Sequence, residues 1–509
     1  MGGVSFGRRP SARLPVSRPA EAGVRVTMLF TLAAALAAGA LVSAPGPAAG
    51  QAVDCGKRLA GGPANDRLLG TGAGDRISGR GGADRLLGRG GTDCLRGGAG
   101  NDLLVGGGGA DRLRGGAGRD RIWARDGARD VVSCGPGRDV ARIDERDVAR
   151  GCERVRAPGQ PGAYIRDSEL GPVPSDAYHL APQGVDSNPG TAEQPWRTIE
   201  RAIESVEPGD TVVLEPGTYG ARGMTHSFAT AGAPGAPITF RGAPSGPIPQ
   251  ILGHVRISAD YQRLNYLLFD GPTGPVNAPT AENPRGEQVQ ITILGSSVDG
   301  IEISGSEIRN SLWHAGIYAS TANDVRIMGN WIHHNGDVTD PGQENQSHGI
   351  YFDRGSGTIA NNLITDNVAR GVQLYAEPDG LVITNNTIIG NGKAGIQFAA
   401  QTANCVAVNN VVAYNGEHGI RSASLEGSGN LVRQNLVWDN GLDLGPAEGL
   451  TMRDNLRAYP GFGSASDYRP PAGSPAIDRA VASYAPSRDF HAVPRPLGGG
   501  PDLGAFETG

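Results

Sequence analysis

Between residues 60 and 125 the apolar positions follow a period that suits neither a helix nor an ordinary alternating strand. Leu68, Ile77, Leu86, Leu95, Leu104, Leu113 and Ile122 stand nine residues apart. An aspartate precedes each by two positions: Asp66, Asp75, Asp84, Asp93, Asp102, Asp111 and Asp120. Glycines fill the places before the aspartate, as in Gly97-Gly-Ala-Gly-Asn-Asp-Leu-Leu-Val. The unit predicts a short strand with one inward side chain, followed by a turn tight enough to need glycine. Two units make a coil, so Asp66, Asp84, Asp102 and Asp120 fall on one edge and Asp75, Asp93 and Asp111 on the other. Beyond Ile122 the register slips, with Asp130 one residue late, and residues 130–155 are expected as a disulfide-closed cap.

A longer period runs from about residue 300 to 440. Gly329-Asn-Trp-Ile-His-His-Asn returns as Asn361-Asn-Leu-Ile-Thr-Asp-Asn, Asn385-Asn-Thr-Ile-Ile-Gly-Asn, Asn409-Asn-Val-Val-Ala-Tyr-Asn and Gln434-Asn-Leu-Val-Trp-Asp-Asn. Between these blocks stand Gly316-Ile-Tyr, Gly349-Ile-Tyr, Gly371-Val-Gln, Gly395-Ile-Gln and Gly419-Ile-Arg. Stacked coils would place Ile332, Ile364, Ile388, Val412 and Val437 in one interior column. Ile317, Ile350, Val372, Ile396 and Ile420 would form another. Asn330, Asn362, Asn386, Asn410 and Asn435 would stack at a turn, where asparagine tolerates left-handed geometry and can bond its equal one coil away. Upstream, Ile199, Ala202, Ile203 and Val206 make one helical face, expected to cover the N-terminal end of the stack. Asp210-Thr-Val-Val-Leu is expected to open the first strand, and Gly473 through Glu507 to form the closing segment.

Composition agrees with turns and strands: 80 glycines and only 5% aromatic residues exclude a helix-rich enzyme. The net charge of -6 names no nucleic-acid partner. Arg8, Arg9, Arg13, Arg18 and Arg25 precede an apolar run from Met28 to Val42, so residues 1–50 read as a cleavable export signal, too short for a membrane span. Cys55, Cys94, Cys134 and Cys152 form an even set with three possible pairings, of which Cys134–Cys152 with Cys55–Cys94 is favoured by closeness in sequence. Cys405 is left over as a buried small hydrophobe.

The nonapeptide pattern resembles RTX (haemolysin-type) calcium-binding repeats, which implies Ca2+ held by Asp66, Asp75, Asp84, Asp93, Asp102, Asp111 and Asp120. The asparagine-stacked coils resemble the right-handed parallel β-helix of pectate-lyase-like secreted proteins. The fold expected is therefore all-β, a parallel β-roll joined to a right-handed parallel β-helix. Its domains would be residues 51–157 (roll and cap) and 165–509 (β-helix with closing segment). The combination also resembles secreted mannuronan C5-epimerases, but their Asp-Pro-His signature is missing here, Tyr351-Phe-Asp-Arg being the nearest string.

By the same resemblance the Gly-Ile-x strands belong to the first sheet, the floor of a substrate groove. The catalytic candidates there are Lys393, Arg370, Tyr351, His348 and Asp353; those for substrate binding are Gln373, Tyr375, Tyr318 and Arg421. Chemistry on a uronate needs its carboxylate neutralised and its C5 proton removed, work for a cation and for a lysine, tyrosine or histidine. Adjacent His333 and His334, with Asp337, are not expected to chelate one ion, because neighbours on a strand face opposite ways. The function expected is an extracellular, monomeric, calcium-binding protein engaging polysaccharide or cell-surface glycan. Binding without turnover is the first reading; a polysaccharide lyase or uronate C5-epimerase is the alternative.

Overall fold

The computed structural model describes residues 55–124, 128–143, 146–152, 154–156, 171–271, 290–312, 314–336, 345–462 and 467–508. The expected export signal and Asp337 lie outside them. Asp54–Gly509 forms one compact unit.

In the first solenoid, successive nonapeptides alternate between two six-stranded parallel sheets. One runs through Lys57–Ala60, Asp75–Gly81, Cys94–Ala99, Arg112–Ala117, Val131–Ser133 and Val148–Arg150. The other runs through Arg67–Leu69, Arg85–Gly90, Leu103–Gly108, Arg121–Ala124, Val140–Ile143 and Arg154–Arg156. Ile77, Leu86, Leu95, Leu104, Leu113 and Ile122 are at most 1% exposed and make a core one side chain thick. The aspartates sit at or just before the strand starts, where each backbone N–H donates to the carboxylate one coil on: Asp66 to Asp84 at 2.7 Å, Asp84 to Asp102 at 2.8 Å, Asp102 to Asp120 at 2.9 Å. Asp75, Asp93 and Asp111 form the opposite ladder.

The expected cap is a continuation. Val132 and Ala141 extend the core, and the ladders pass on through Asp111 to Asp130 and through Asp120 to Asp139. The extra residue between Asp120 and Asp130 is absorbed before Val131, which still pairs with Arg112. The disulfides are Cys55–Cys94 and Cys134–Cys152, with Cα separations of 5.8 and 5.0 Å.

The second solenoid is a right-handed parallel β-helix with three sheets around one core. Ile332, Ile364, Ile388, Val412 and Val437 are in register and wholly buried, as are Ile317, Ile350, Val372, Ile396 and Ile420. The first strand is Tyr178–Leu180, one coil before Thr211–Leu214. The helix Ile199–Ser205 starts at Thr198, whose hydroxyl accepts the Arg201 N–H, and it buries Ile199 and Ala202. Buried His226 meets its Glu200 at 2.6 Å.

Asparagine ladders stitch the coils together. Asn362 Nδ2 donates to Asn386 Oδ1 and Asn386 Nδ2 to Asn410 Oδ1, each at 2.9 Å. The left-handed backbone falls one residue earlier than expected, on Asn361, Asn385, Asn409 and Gln434. A second ladder at the opposite turn joins Asn335, Asn367, Asn391, Asn415 and Asn440.

The closing segment lies along the flank. Phe490 and Phe506 pack on Leu363, and Leu503 packs with Val411 and Leu436, on the outward side of the third sheet. A buried Arg495–Glu507 pair at 2.8 Å holds it.

Candidate functional site

Outward residues of the first sheet form a row across the coils, because Tyr318, Tyr351, Gln373, Gln397 and Arg421 are register partners. Along the middle of this row a cavity of about 350 Å³ opens, lined by His348, Tyr351, Arg370, Gln373, Tyr375 and Gln397, together with His314, Asn345 and Gln346. Tyr375 is 49% exposed, so a ring face is open to solvent. The rings of His314, Tyr318 and Tyr351 lie 4.8 to 5.2 Å apart by centroid. His348 approaches Tyr351 edge-on at 5.5 Å.

Arg370 defines the electrostatics. Its Nε donates to Gln397 Oε1 at 3.0 Å and its Nη1 to the Asn345 carbonyl at 3.1 Å, both neutral acceptors. Gln397 is in turn fixed by donating to Gln373 Oε1 at 3.0 Å. Burial lowers the Arg370 pKa to about 10, so the guanidinium remains a cation at neutral pH. The same burial, with Arg370 and His314 nearby, holds His348 well below the usual histidine range. Its Nδ1 accepts the Arg370 backbone N–H at 3.4 Å, which places the ring proton on Nε2. Burial also raises the Tyr351 hydroxyl, keeping it protonated.

The remaining candidates, Asp353, Tyr318, Arg421 and Lys393, do not line this cavity. Asp353 accepts from Ser320 at 2.7 Å and from Arg354 at 3.0 Å, and Tyr318 points to it at 3.4 Å. Arg421 turns its Nε to the Ser422 carbonyl. Lys393 pairs with Glu417 at 2.7 Å in a separate cleft facing the roll. His314 went unread in the sequence, although His314-Ala-Gly-Ile-Tyr anticipates His348-Gly-Ile-Tyr one coil later. Cys405 is buried, and burial pushes its thiol up to about 11, far from a nucleophile at neutral pH.

The two neighbouring histidines differ from expectation. His334 has φ of 55°, so it has left the strand and its Nδ1 comes back to within 2.5 Å of His333 Nδ1. His333 Nε2 meets Glu307 at 3.0 Å. No group of three or more His, Cys, Asp or Glu side chains converges as a metal site among the described residues.

The roll offers a different donor set, carboxylates with backbone carbonyls. The second carboxylate oxygens of Asp84, Asp93, Asp102 and Asp120 are buried with no hydrogen-bond partner. A Cβ on Gly79 would strike Asp84 Oδ2 and the Gly97 carbonyl; one on Gly97 would strike Asp102 Oδ2 and the Gly115 carbonyl. These cradles need glycine and present only oxygens. Burial lifts Asp93 and Asp120 to about 6, the mark of carboxylates lacking a counter-charge. Hard divalent cations take such ligands, so the residues fit calcium.

Comparison with known proteins agrees with this architecture. Residues 60–95 and 96–131 match the RTX calcium-binding nonapeptide repeat. Residues 290–455 match the right handed beta helix region, and 182–226 a family of unknown function. The uncharacterized protein YwoF of Bacillus subtilis is 30% identical over 138 residues, 26% of this chain and 29% of that protein. Pectate lyase L of Dickeya dadantii is 35% identical over 74 residues, 14% of this chain and 17% of that enzyme. The matches thus span less than a third of these relatives' lengths. Among solved structures, pectate lyase Pel9A overlays with a TM-score of 0.49 at 18% identity, covering 65% of this chain and 96% of that one. A rhamnogalacturonan lyase overlays at 0.31 and 17%, covering 54% and 72%. The chain joins RTX calcium-binding nonapeptide repeats to a right-handed parallel β-helix.

Proposed function

We propose that this is an extracellular protein that binds an acidic polysaccharide along the first sheet of its β-helix, beside a roll held by calcium at the aspartate edges. The observation that carries the reading is Arg370, a cation with neutral hydrogen-bond acceptors opening on a cavity walled by Tyr351, Tyr375 and His348. A uronate carboxylate would give Arg370 a charged hydrogen-bond acceptor in place of neutral ones, the exposed Tyr375 ring stacks on a sugar face, and His348 Nε2–H adds a donor. The 74-residue match to a protein named pectate lyase supports the substrate class, and paired cysteines suit an oxidising compartment. Affinity for polygalacturonate and alginate, against neutral dextran, tests it by calorimetry. Arg370→Ala should weaken acidic-polymer binding at least about tenfold, since a charge-assisted contact contributes roughly 1.5–3 kcal/mol. Equal binding by Arg370→Ala, Tyr351→Ala and Tyr375→Ala would move the site to another face.

The second reading, elimination or C5 epimerisation, rests on a neutral imidazole beside a cation in one cavity. Removing the C5 proton requires the tautomer with Nε2 bare. Absorbance from unsaturated uronates, or changed C5 signals in NMR, reports it. Turnover that survives His348→Ala excludes His348 as the base, and turnover unaffected by Lys393→Ala excludes Lys393.

A further inference from the structure

We infer that the calcium column on the Asp66 edge runs past the nonapeptide repeats, and that Asp139 and the backbone carbonyl of Cys134 complete one more calcium site beneath Asp120. The inference rests on the reading of the roll as calcium-binding and assigns residues outside the repeat match, which ends at residue 131.

Three features repeat from coil to coil. First, the Asp120 N–H donates to Asp139 Oδ1 at 2.8 Å, as Asp84 does to Asp102 at 2.8 Å and Asp102 to Asp120 at 2.9 Å. Second, Asp120 is wholly buried and its Oδ2 has no hydrogen-bond partner, as at Asp84 and Asp102. Third, each bare oxygen shares a cradle with a glycine Cα and a carbonyl of the next coil. The pairs are Gly79 with the Gly97 carbonyl, Gly97 with the Gly115 carbonyl, and Gly115 with the Cys134 carbonyl. The third cradle is thus built like the first two, except that a disulfide-bonded cysteine stands where the repeats have glycine. The Cys134 oxygen also accepts the Gly116 N–H at 2.8 Å, which leaves its second lone pair for an ion.

The sequence hides this site because the insertion before Asp130 moves the spacing on this edge from 18 to 19 residues. The Cys134–Cys152 bridge anchors the carbonyl donor. Occupancy of this last site therefore depends on the disulfide, while the inner sites do not.

Equilibrium dialysis with radioactive calcium on the full chain tests the assignment. Asp139→Asn keeps the Oδ1 acceptor for Asp120 and removes the charge, so it should bind one ion fewer than wild type, with the inner sites unchanged. The Cys134→Ser/Cys152→Ser variant should lose the same ion, and adding Asp139→Asn to it should remove no more. Circular dichroism at saturating calcium identifies folded variants; should Asp139→Asn misfold, Asp139→Ser is counted instead. A full count in the folded Asp139 variant overturns this site alone. A wild type that binds no calcium overturns the reading of the repeats with it.

Discussion

Asn386 shows what a single residue does in this fold. It is fully buried, its Nδ2 serves the Ile359 carbonyl and Asn410 Oδ1, and its Oδ1 receives both nitrogens of Asn362. Alanine would leave several buried groups unpaired at about 1–3 kcal/mol each, so Asn386→Ala should lose about 3 kcal/mol in urea unfolding. Unchanged stability would show that the ladder is not a source of cohesion. His348 gives the pH counterpart. Its folded pKa lies well below 6.5, so the unfolded chain binds the extra proton first as pH falls. Stability is then complete above about pH 6.5 and declines below it, by at most about 1.4 kcal/mol per pH unit. His418 is shifted the same way, so the relevant measurement is the difference between wild type and His348→Gln, compared at about pH 5 and pH 7. Equal slopes would mean the ring is charged in the fold. At this scale the sequence was readable where chemistry repeats: once the resemblance assigned the Gly-Ile-x strands to the first sheet, alternation with the Ile350 column gave the outward Tyr351 row. Arg370 could be seen in the sequence, but not its lack of a carboxylate hydrogen-bond partner, which depends on Gln397 arriving from the next coil.

Among elements, the apolar columns were the most legible feature, because each coil contributes one inward residue per sheet and the period exposes it. The second asparagine ladder stood in the same heptads, at their last letter. It escaped notice because turn asparagines suggested left-handed backbone, a role that belongs to their neighbours Asn361, Asn385 and Asn409. Contacts between roll and β-helix had no periodic signature at all. Arg142 leaves the roll, stacks on Trp123 at 4.3 Å and meets Asp366 at 3.0 Å, with both side chains at most 8% exposed. It also donates to the Gly390 carbonyl, and Arg121 reaches that of Gly416 at 3.0 Å. Removing one member of a buried pair costs about 3–5 kcal/mol, because the other charge stays behind. Arg142→Met should therefore destabilise more than Arg142→Met/Asp366→Asn. Additive losses in that double-mutant cycle would mean the two groups do not interact in solution.

For the whole molecule, two solenoids of unlike cohesion share one chain. The β-helix holds a wide core of Ile, Val and Phe; the roll holds one thin file of side chains between two rows of carboxylates. The calcium proposed for the roll would then supply folding free energy that its thin core cannot. Hydrogen exchange of the full chain in chelator should show amide protection lost across residues 75–117 and retained across 372–425, with millimolar calcium restoring the first. Protection of both segments in chelator would mean that the disulfides and core suffice for the roll.

The equal 24-residue steps between Asn362, Asn386 and Asn410 carry one more consequence. A rung of this staircase begins and ends at the same point in space, apart from the rise. Excising residues 387–410 therefore rejoins like to like: Asn386 inherits the neighbour of Asn410, and Ile364 stands next to Val412. Such a shortened chain should still melt cooperatively, with its length changed and its cross-section kept, whereas a cut of about 20 residues would leave the coil at the junction about four residues short of its neighbours' 24-residue step. Length in this molecule is thus a quantity selection can adjust in whole turns, and the reach of the proposed first-sheet binding face changes with it.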